Sequence, residues 1–289
     1  MLEIRDKLLM DQKLIAYLGP TGTNTEQACL LYDETAKLIP CLSIPEVFGK
    51  VNAGDAHKGI VPIENSVAGS VSLTLDLLIH ESQLYIRNEV VLPITHSLIV
   101  SEPVDLSEIK LIYSHPQAIE QCRTYLAENC PNAQIVASMS TSSAVGQVMS
   151  DRYGSAAIAT QRASELHGAL VLVEGIEDYK NNMTRFVVLD SQDNVPTGND
   201  KTSICFSFDG DSPGILHSVL AEFANHHINL AKIESRPTRE SLGSYIFLVD
   251  LEGHRVDTVV SQALEAIEKI VSMLKVFGSY PKHEFKKNQ

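Results

Sequence analysis

From Leu14 to Ala159 the sequence repeats one pattern: a short apolar run, a loop of small polar residues, then a stretch with helical periodicity. Residues 14–18 run into Gly19-Pro20-Thr21-Gly22-Thr23, where Thr23 or Thr25 can cap a helix reaching Tyr32. Residues 58–63 end in Glu64-Asn65-Ser66, residues 110–113 in Ser114-His115-Pro116-Gln117, residues 134–138 in Met139-Ser140-Thr141, and residues 155–159 in Thr160-Gln161. Alternating strands and helices imply parallel βαβ units, whose ligands sit at the carboxyl ends of the strands. Plain helix capping also places Ser and Thr at these positions, so no single junction decides between a cap and a ligand contact.

Five such junctions cannot share a cleft on one simple sheet, but they can when two α/β lobes face each other. The extended run over residues 84–100 is long enough to cross from a first lobe to a second, and residues 179–189 return. The expected fold is therefore α/β, a bilobal domain with two crossovers and a hinge. Asn182-Met183-Thr184-Arg185-Phe186 falls on the return crossing. A hydroxyl, a carboxamide and a guanidinium at a strand entrance suit a carboxylate ligand.

The segment 191–200 is polar with Pro and Gly and reads as a linker. Beyond it the pattern restarts: a strand over 202–208, a helix capped by Asp211-Ser212-Pro213-Gly214, strands over 228–237 and 245–251, a helix over 256–274 and a strand over 275–280. This βαββαβ order defines a ferredoxin-like domain over 201–281, followed by a tail at 282–289. Residues 1–12 form a short amphipathic extension ahead of the bilobal domain at 13–190. Its first lobe covers about 13–92 and 180–190, its second about 93–179.

Composition narrows the function. A net charge of −13 argues against a nucleic-acid or anionic-membrane surface. No apolar run has the length that spans a bilayer, and the first residues contain no signal-like apolar core, so a cytoplasmic protein is expected. The five cysteines are scattered without a CxxC pair and read as reduced, buried thiols. The ten histidines show no metal-ligand spacing, so no metal is expected.

Taken together and in order, Gly19-Pro20-Thr21-Gly22-Thr23, Pro62-Ile63-Glu64-Asn65-Ser66 with Gly69-Ser70-Val71, Ser114-His115-Pro116-Gln117-Ala118, Ser140-Thr141 and Asn182-Met183-Thr184-Arg185-Phe186 resemble prephenate dehydratase. Asp211-Ser212-Pro213-Gly214-Ile215-Leu216 and Glu234-Ser235-Arg236-Pro237 resemble its C-terminal ACT regulatory domain, and the resemblance covers about residues 13–281. Three positions depart from the usual pattern: Asn24 replaces an aromatic residue, Ile215 replaces Ala, and His167 precedes Gly168 where Tyr is common.

The resemblance implies a periplasmic-binding-protein-like catalytic fold and loss of CO₂ and water from prephenate to give phenylpyruvate, with no cofactor. It implies Thr184 as the group assisting departure of the ring hydroxyl and Arg185 as the carboxylate anchor. Thr23, Glu64, Asn65, Ser66, Ser114, Gln117, Ser140, Thr141, Asn182 and Phe186 are the implied substrate-site residues, with Asn182 orienting and Phe186 packing. L-Phenylalanine is the implied allosteric effector, held between paired ACT domains of a homodimer or homotetramer by Gly214, Ile215, Leu216, Asn229, Glu234, Ser235, Arg236 and Pro237. Arogenate dehydratase and a non-catalytic amino-acid-binding sensor of the same bilobal fold are the alternatives. An attached chorismate mutase would need a far longer helical segment than residues 1–12.

Overall fold

The computed structural model describes residues 13–284 apart from 152, 211 and 239–242. The amphipathic segment expected over 1–12, Asp211 of the expected helix cap and residues 285–289 of the tail lie outside the described residues.

Fifteen strands among the described residues form three sheets. The first runs β2(Lys37–Cys41)-β1(Leu14–Leu18)-β3(Lys58–Asn65)-β11(Met183–Asp190)-β5(Tyr85–Pro93), with β4(Gly69–Ser70) paired to β3. The second runs β10(Leu170–Glu174)-β6(Ser97–Val100)-β9(Ser155–Ala159)-β7(Leu111–Ser114)-β8(Gln134–Ala137). Parallel pairing holds for β1 with β2 and β3, and for β7 with β8 and β9. β6 is antiparallel to both its neighbours, so the second sheet is mixed rather than wholly parallel. β5 leads from the first sheet toward the second and β11 returns, which gives the two crossovers of a periplasmic-binding-protein-like domain.

Helices follow the strands where the caps dictate. Thr23 accepts from Glu26 N at 3.3 Å to start α1(Asn24–Tyr32), and Glu26 reaches back to Gly22 N at 2.6 Å. Ser43 and Glu46 repeat the device at the start of α2(Ile44–Asn52), with Glu46 accepting from Leu42 N at 2.8 Å. The remaining helices of this part are α3(Ser72–Asp76), continued by a π turn over Leu77–Glu81, then α4(Pro116–Gln121), α5(Arg123–Asn129), α6(Thr141–Asp151) and α7(Gln161–His167). Every residue of β9 is buried, as expected of a strand covered on both faces. Leu98, Ile112 and Ile158 pack on one side of that sheet, and Ile99, Ala157, Val145 and Val148 on the other.

The third sheet runs β13(Leu230–Pro237)-β14(Tyr245–Glu252)-β12(Asp200–Ser207)-β15(Met273–Pro281), antiparallel throughout, with α8(Ile215–Asn225) and α9(Thr258–Glu268). This is the βαββαβ ferredoxin-like domain, cored by Phe206, Val219, Phe223, Leu251, Leu264 and Ile267. The last helix is shorter than the expected 256–274. Met273 and Leu274 pair with Ser207 and Phe206 in β15, so strand pairing overrides the helical pattern at its end.

By contacts the chain divides into one unit holding the residues up to Ser72 with Val90–Phe186, and another holding Leu73–Glu89 with the chain from Val187 onward. Within the second unit, Gly278 has φ +148° and a Cβ there would lie 2.2 Å from Ile86 O, so only glycine fits.

Candidate active site

The first unit contains a cavity of about 810 Å³ at the carboxyl ends of its strands. The loops after β1, β2, β3, β7 and β8 and the start of β11 all contribute to its wall. Six of the expected substrate-site residues line it, Thr23, Asn65, Gln117, Ser140, Thr141 and Phe186, together with Thr184. Asn24, one of the departures from the family pattern, lines it too. Among the described lining residues none is lysine or arginine. Leu42 and Met139 stand at the rim, 97% and 94% exposed.

Strand alternation decides the fate of the Thr-Arg-Phe element. Thr184 and Phe186 share the cavity face of β11, and Arg185 is not among the lining residues. Its guanidinium pairs instead with Glu64 Oε2 at 2.9 Å, so the structure brings neither Arg185 nor Glu64 to this cavity. Phe186 is both lining and packed, only 2% exposed.

Thr184 is positioned by Asn65. Asn65 Oδ1 accepts from Val67 N at 3.0 Å and Ala68 N at 2.8 Å, which fixes its other end as the donor. That Nδ2 donates to Thr184 Oγ1 at 2.9 Å and to Asn182 Oδ1 at 2.7 Å. With its oxygen engaged as acceptor, the Thr184 hydroxyl keeps its proton available to the cavity. Asn182 is 1% exposed and acts behind the wall, donating onward to Gln121 Oε1 at 3.2 Å.

Two other expected residues serve the backbone. Ser66 Oγ accepts from Met183 N at 2.9 Å and donates to Asn181 O at 3.2 Å, tying β11 to the loop after β3. Ser114 is fully buried and donates to Ile158 O at 2.6 Å. His115 caps α4 by accepting from Gln117 N at 3.3 Å, and it also lines the cavity. The fifth junction stays out of the lining. Thr160 caps α7 and donates to Gly22 O at 2.8 Å, beside Ser142 Oγ donating to Thr21 O at 2.7 Å. At Gly22, with φ +87°, a Cβ would come within 2.7 Å of Ser142 Oγ, so the glycine permits this bridge between the lobes.

Sequence reasoning missed Gln121 and His96, which both line the cavity. Gln121 lies one helical turn after Gln117, and that spacing puts the two on one face of α4. It also missed β2 and α2, whose loop supplies Pro40, Cys41, Leu42 and Ile44.

The expected effector residues are distributed over two faces. Gly214, at φ +89°, precedes α8, which begins with Ile215 and Leu216. On β13, Glu234 and Arg236 face one way: Arg236 pairs with Asp76 at 3.0 Å, and Glu234 with Lys232 at 3.1 Å. Ser235 and Pro237 alternate onto the exposed face. Asn229 O accepts from Glu252 N at 2.9 Å.

A two-crossover cleft walled by hydroxyls and carboxamides, on a chain that also carries a ferredoxin-like domain, defines a two-part protein of the bilobal α/β class. The prephenate dehydratase family model matches residues 15–194, and the ACT domain model residues 210–269. A bifunctional chorismate mutase/prephenate dehydratase of Aquifex aeolicus is 40% identical, over 95% of this chain and 75% of that protein. A prephenate dehydratase of Methanocaldococcus jannaschii is 38% identical, over 93% of this chain and 98% of that protein. A solved structure of the Arthrobacter aurescens prephenate dehydratase in complex with L-Phe matches with a TM-score of 0.85 at 37% identity, covering 93% of this chain and 90% of that one. The chain belongs to the prephenate dehydratase family and carries an ACT domain.

Proposed function

We propose that the cavity converts prephenate to phenylpyruvate and that Thr184 supplies the hydrogen bond and proton for the departing hydroxyl. The bond from the ring to its carboxylate breaks and releases CO₂. Its electron pair moves through the diene and expels the hydroxyl at the opposite ring position. One proton converts that hydroxide to water, and the ring becomes aromatic. The observation that carries this assignment is the Asn65 Nδ2–Thr184 Oγ1 hydrogen bond, which leaves the threonine proton for the cavity. Threonine is a weak acid, so it relays a proton drawn ultimately from solvent.

The carboxylates meet a neutral wall. The hydroxyls of Thr23, Ser140 and Thr141, the amide of Gln117 and the first-turn N–H groups of α1 and α6 are suited to hold them. Arg185 acts one step back by holding Glu64, a role that leaves the ring carboxylate in surroundings poor in cations, which favours its loss. Gln121, which also lines the cavity, completes the donor set.

The ACT domain binds L-phenylalanine as the effector; in support, the Arthrobacter aurescens prephenate dehydratase is solved in complex with L-Phe. Gly214, Ile215, Leu216 and Asn229 with Ser235 and Pro237 form the effector surface, and pairing of ACT domains makes a homodimer or homotetramer. Glu234 and Arg236 support that strand from the other face. Five buried thiols fit a reducing cytoplasmic compartment. Among the described residues no helix is long and apolar enough to cross a membrane.

The test is an assay for phenylpyruvate from prephenate with and without added phenylalanine. Turnover that phenylalanine depresses supports the reading. A chain that makes no phenylpyruvate overturns the activity, and a flat response to phenylalanine overturns the effector assignment.

A further inference from the structure

His96 lies on the crossover between β5 and β6, is 3% exposed and lines the cavity. Its protonation state follows from the hydrogen-bond chain. Asn65 is fixed by its turn, so Asn65 Nδ2 donates to Asn182 Oδ1. Asn182 must then donate through Nδ2 to Gln121 Oε1. Gln121 Oε1 lies 2.9 Å from His96 Nε2, and an oxygen can only accept, so Nε2 carries the ring proton. Nδ1 is left bare, and it is buried without a hydrogen-bond partner among the described residues.

A buried acceptor without a partner is a cost that a fold tolerates for a reason. The reason here is at the opposite end of Gln121. Its Oε1 is occupied by two donors, one from Asn182 and one from His96. Both side-chain bonds of Gln121 fall on Oε1, which leaves its Nε2 without a partner among the described residues in a side chain that lines the cavity. The amide therefore presents N–H groups to an anionic ligand.

We propose that His96 is a positioning residue that holds the Gln121 carboxamide with its NH₂ end toward the ligand. With the proton on Nδ1 instead, His96 Nε2 would become an acceptor and draw the amide round. Gln121 would then offer an oxygen to a carboxylate and lose its bond from Asn182. Burial lowers the His96 pKa below its ordinary 6.5, which keeps the ring neutral at physiological pH. The charged groups around it are Glu177, whose Oε2 accepts from His96 N at 2.8 Å, and Lys180, 3.4 Å from the other Glu177 oxygen. His115 is the other histidine of the wall. The inference rests on the cavity being the prephenate site.

Two measurements test it. In the full chain with ¹⁵N-labelled histidine, NMR is expected to show His96 as the neutral Nε2–H tautomer at pH 7, and an Nδ1–H signal would overturn the proposal. This needs no substitution and no activity, so it stands whether or not the chain forms phenylpyruvate. In kinetics, His96→Leu is expected to lower kcat/KM about tenfold or more, as the loss of one buried hydrogen bond implies. His96→Gln, which returns an amide N–H near the same place, is expected to recover most of that loss at equal folding stability. A Leu variant with unchanged kcat/KM, or a Gln variant as impaired as the Leu variant, contradicts the role.

Discussion

In the cleft, polarity is carried by neutral groups: Thr184, Asn65, Asn182, Gln121 and His96 form one chain of hydrogen bonds, and no lysine or arginine is among the described residues of the wall. In the unit that contains the ACT domain, it is carried by ions. Lys201 Nζ lies 2.9 Å from both oxygens of Glu89, whose side chain is 2% exposed, and His283 N donates to the same carboxylate at 2.9 Å. Arg236 pairs with Asp76, and Lys275 Nζ donates to Ile79 O and Ser82 O at the end of the π turn. A substrate with two carboxylates that must lose one is better met by aligned donors than by a fixed cation that would stabilise the group destined to leave. Ion pairs suit a region whose work is to hold segments far apart in sequence together, such as residues 76 and 236.

The largest expected effect is on the ionic side. Lys201→Met strands the buried Glu89 carboxylate and should cost about 3–5 kcal/mol in denaturant unfolding, with most of the loss returned by adding Glu89→Leu. A single variant of wild-type stability would mean that the pair contributes little. Next comes the neutral network. Asn65→Ala frees Thr184 and Asn182 together and should lower kcat about 10- to 100-fold with the fold retained, since it leaves buried polar groups unpaired. Activity close to that of the wild type would separate Thr184 from its proposed orienting group.

Arg236→Ala should weaken inhibition by phenylalanine about fivefold or more while leaving uninhibited turnover nearly intact, in line with ordinary allosteric coupling energies. An unchanged response would make the Asp76 pair purely structural. Arg185→Ala is expected to change KM less than about threefold, because the residue lies off the cavity face. A large rise in KM would restore it as the anchor and erase the contrast between the two regions.

The pH dependence has a definite sign. The folded-state pKa of His96 is lowered by burial, so the unfolded chain takes up the proton first as pH falls. Its contribution leaves stability unaffected above about pH 6.5 and lowers it below that, until the folded-state pKa is reached. Comparing the wild type with His96→Gln in urea at pH 7.5 and 5.5 isolates the effect, which should be absent in the variant.

Much of the cleft was legible because helix capping and ligand contact ask for the same residues at the same junctions. Thr23 shows both uses, capping α1 and lining the cavity. That overlap is also why sequence alone could not sort them: Ser66, Ser114 and Thr160 turned out to bond backbone carbonyls. Arg185 neighbours Thr184 in sequence, but strand alternation turns its side chain off the cavity face toward Glu64. β2 escaped notice because Lys37–Cys41 is short, contains Pro40 and gains its strand identity from pairing with β1, although Ser43 and Glu46 marked the helix that follows. His96 left no local signal, since its role depends on Gln121, 25 residues away.

Thr184 is the group proposed to assist departure of the hydroxyl. Steady-state kinetics of Thr184→Val on prephenate is the most direct measurement, because the substitution removes the hydroxyl and keeps the shape. The predicted result is a fall in kcat of about 100-fold or more with KM within a few-fold of the wild type. A kcat near the wild-type value would contradict the assignment.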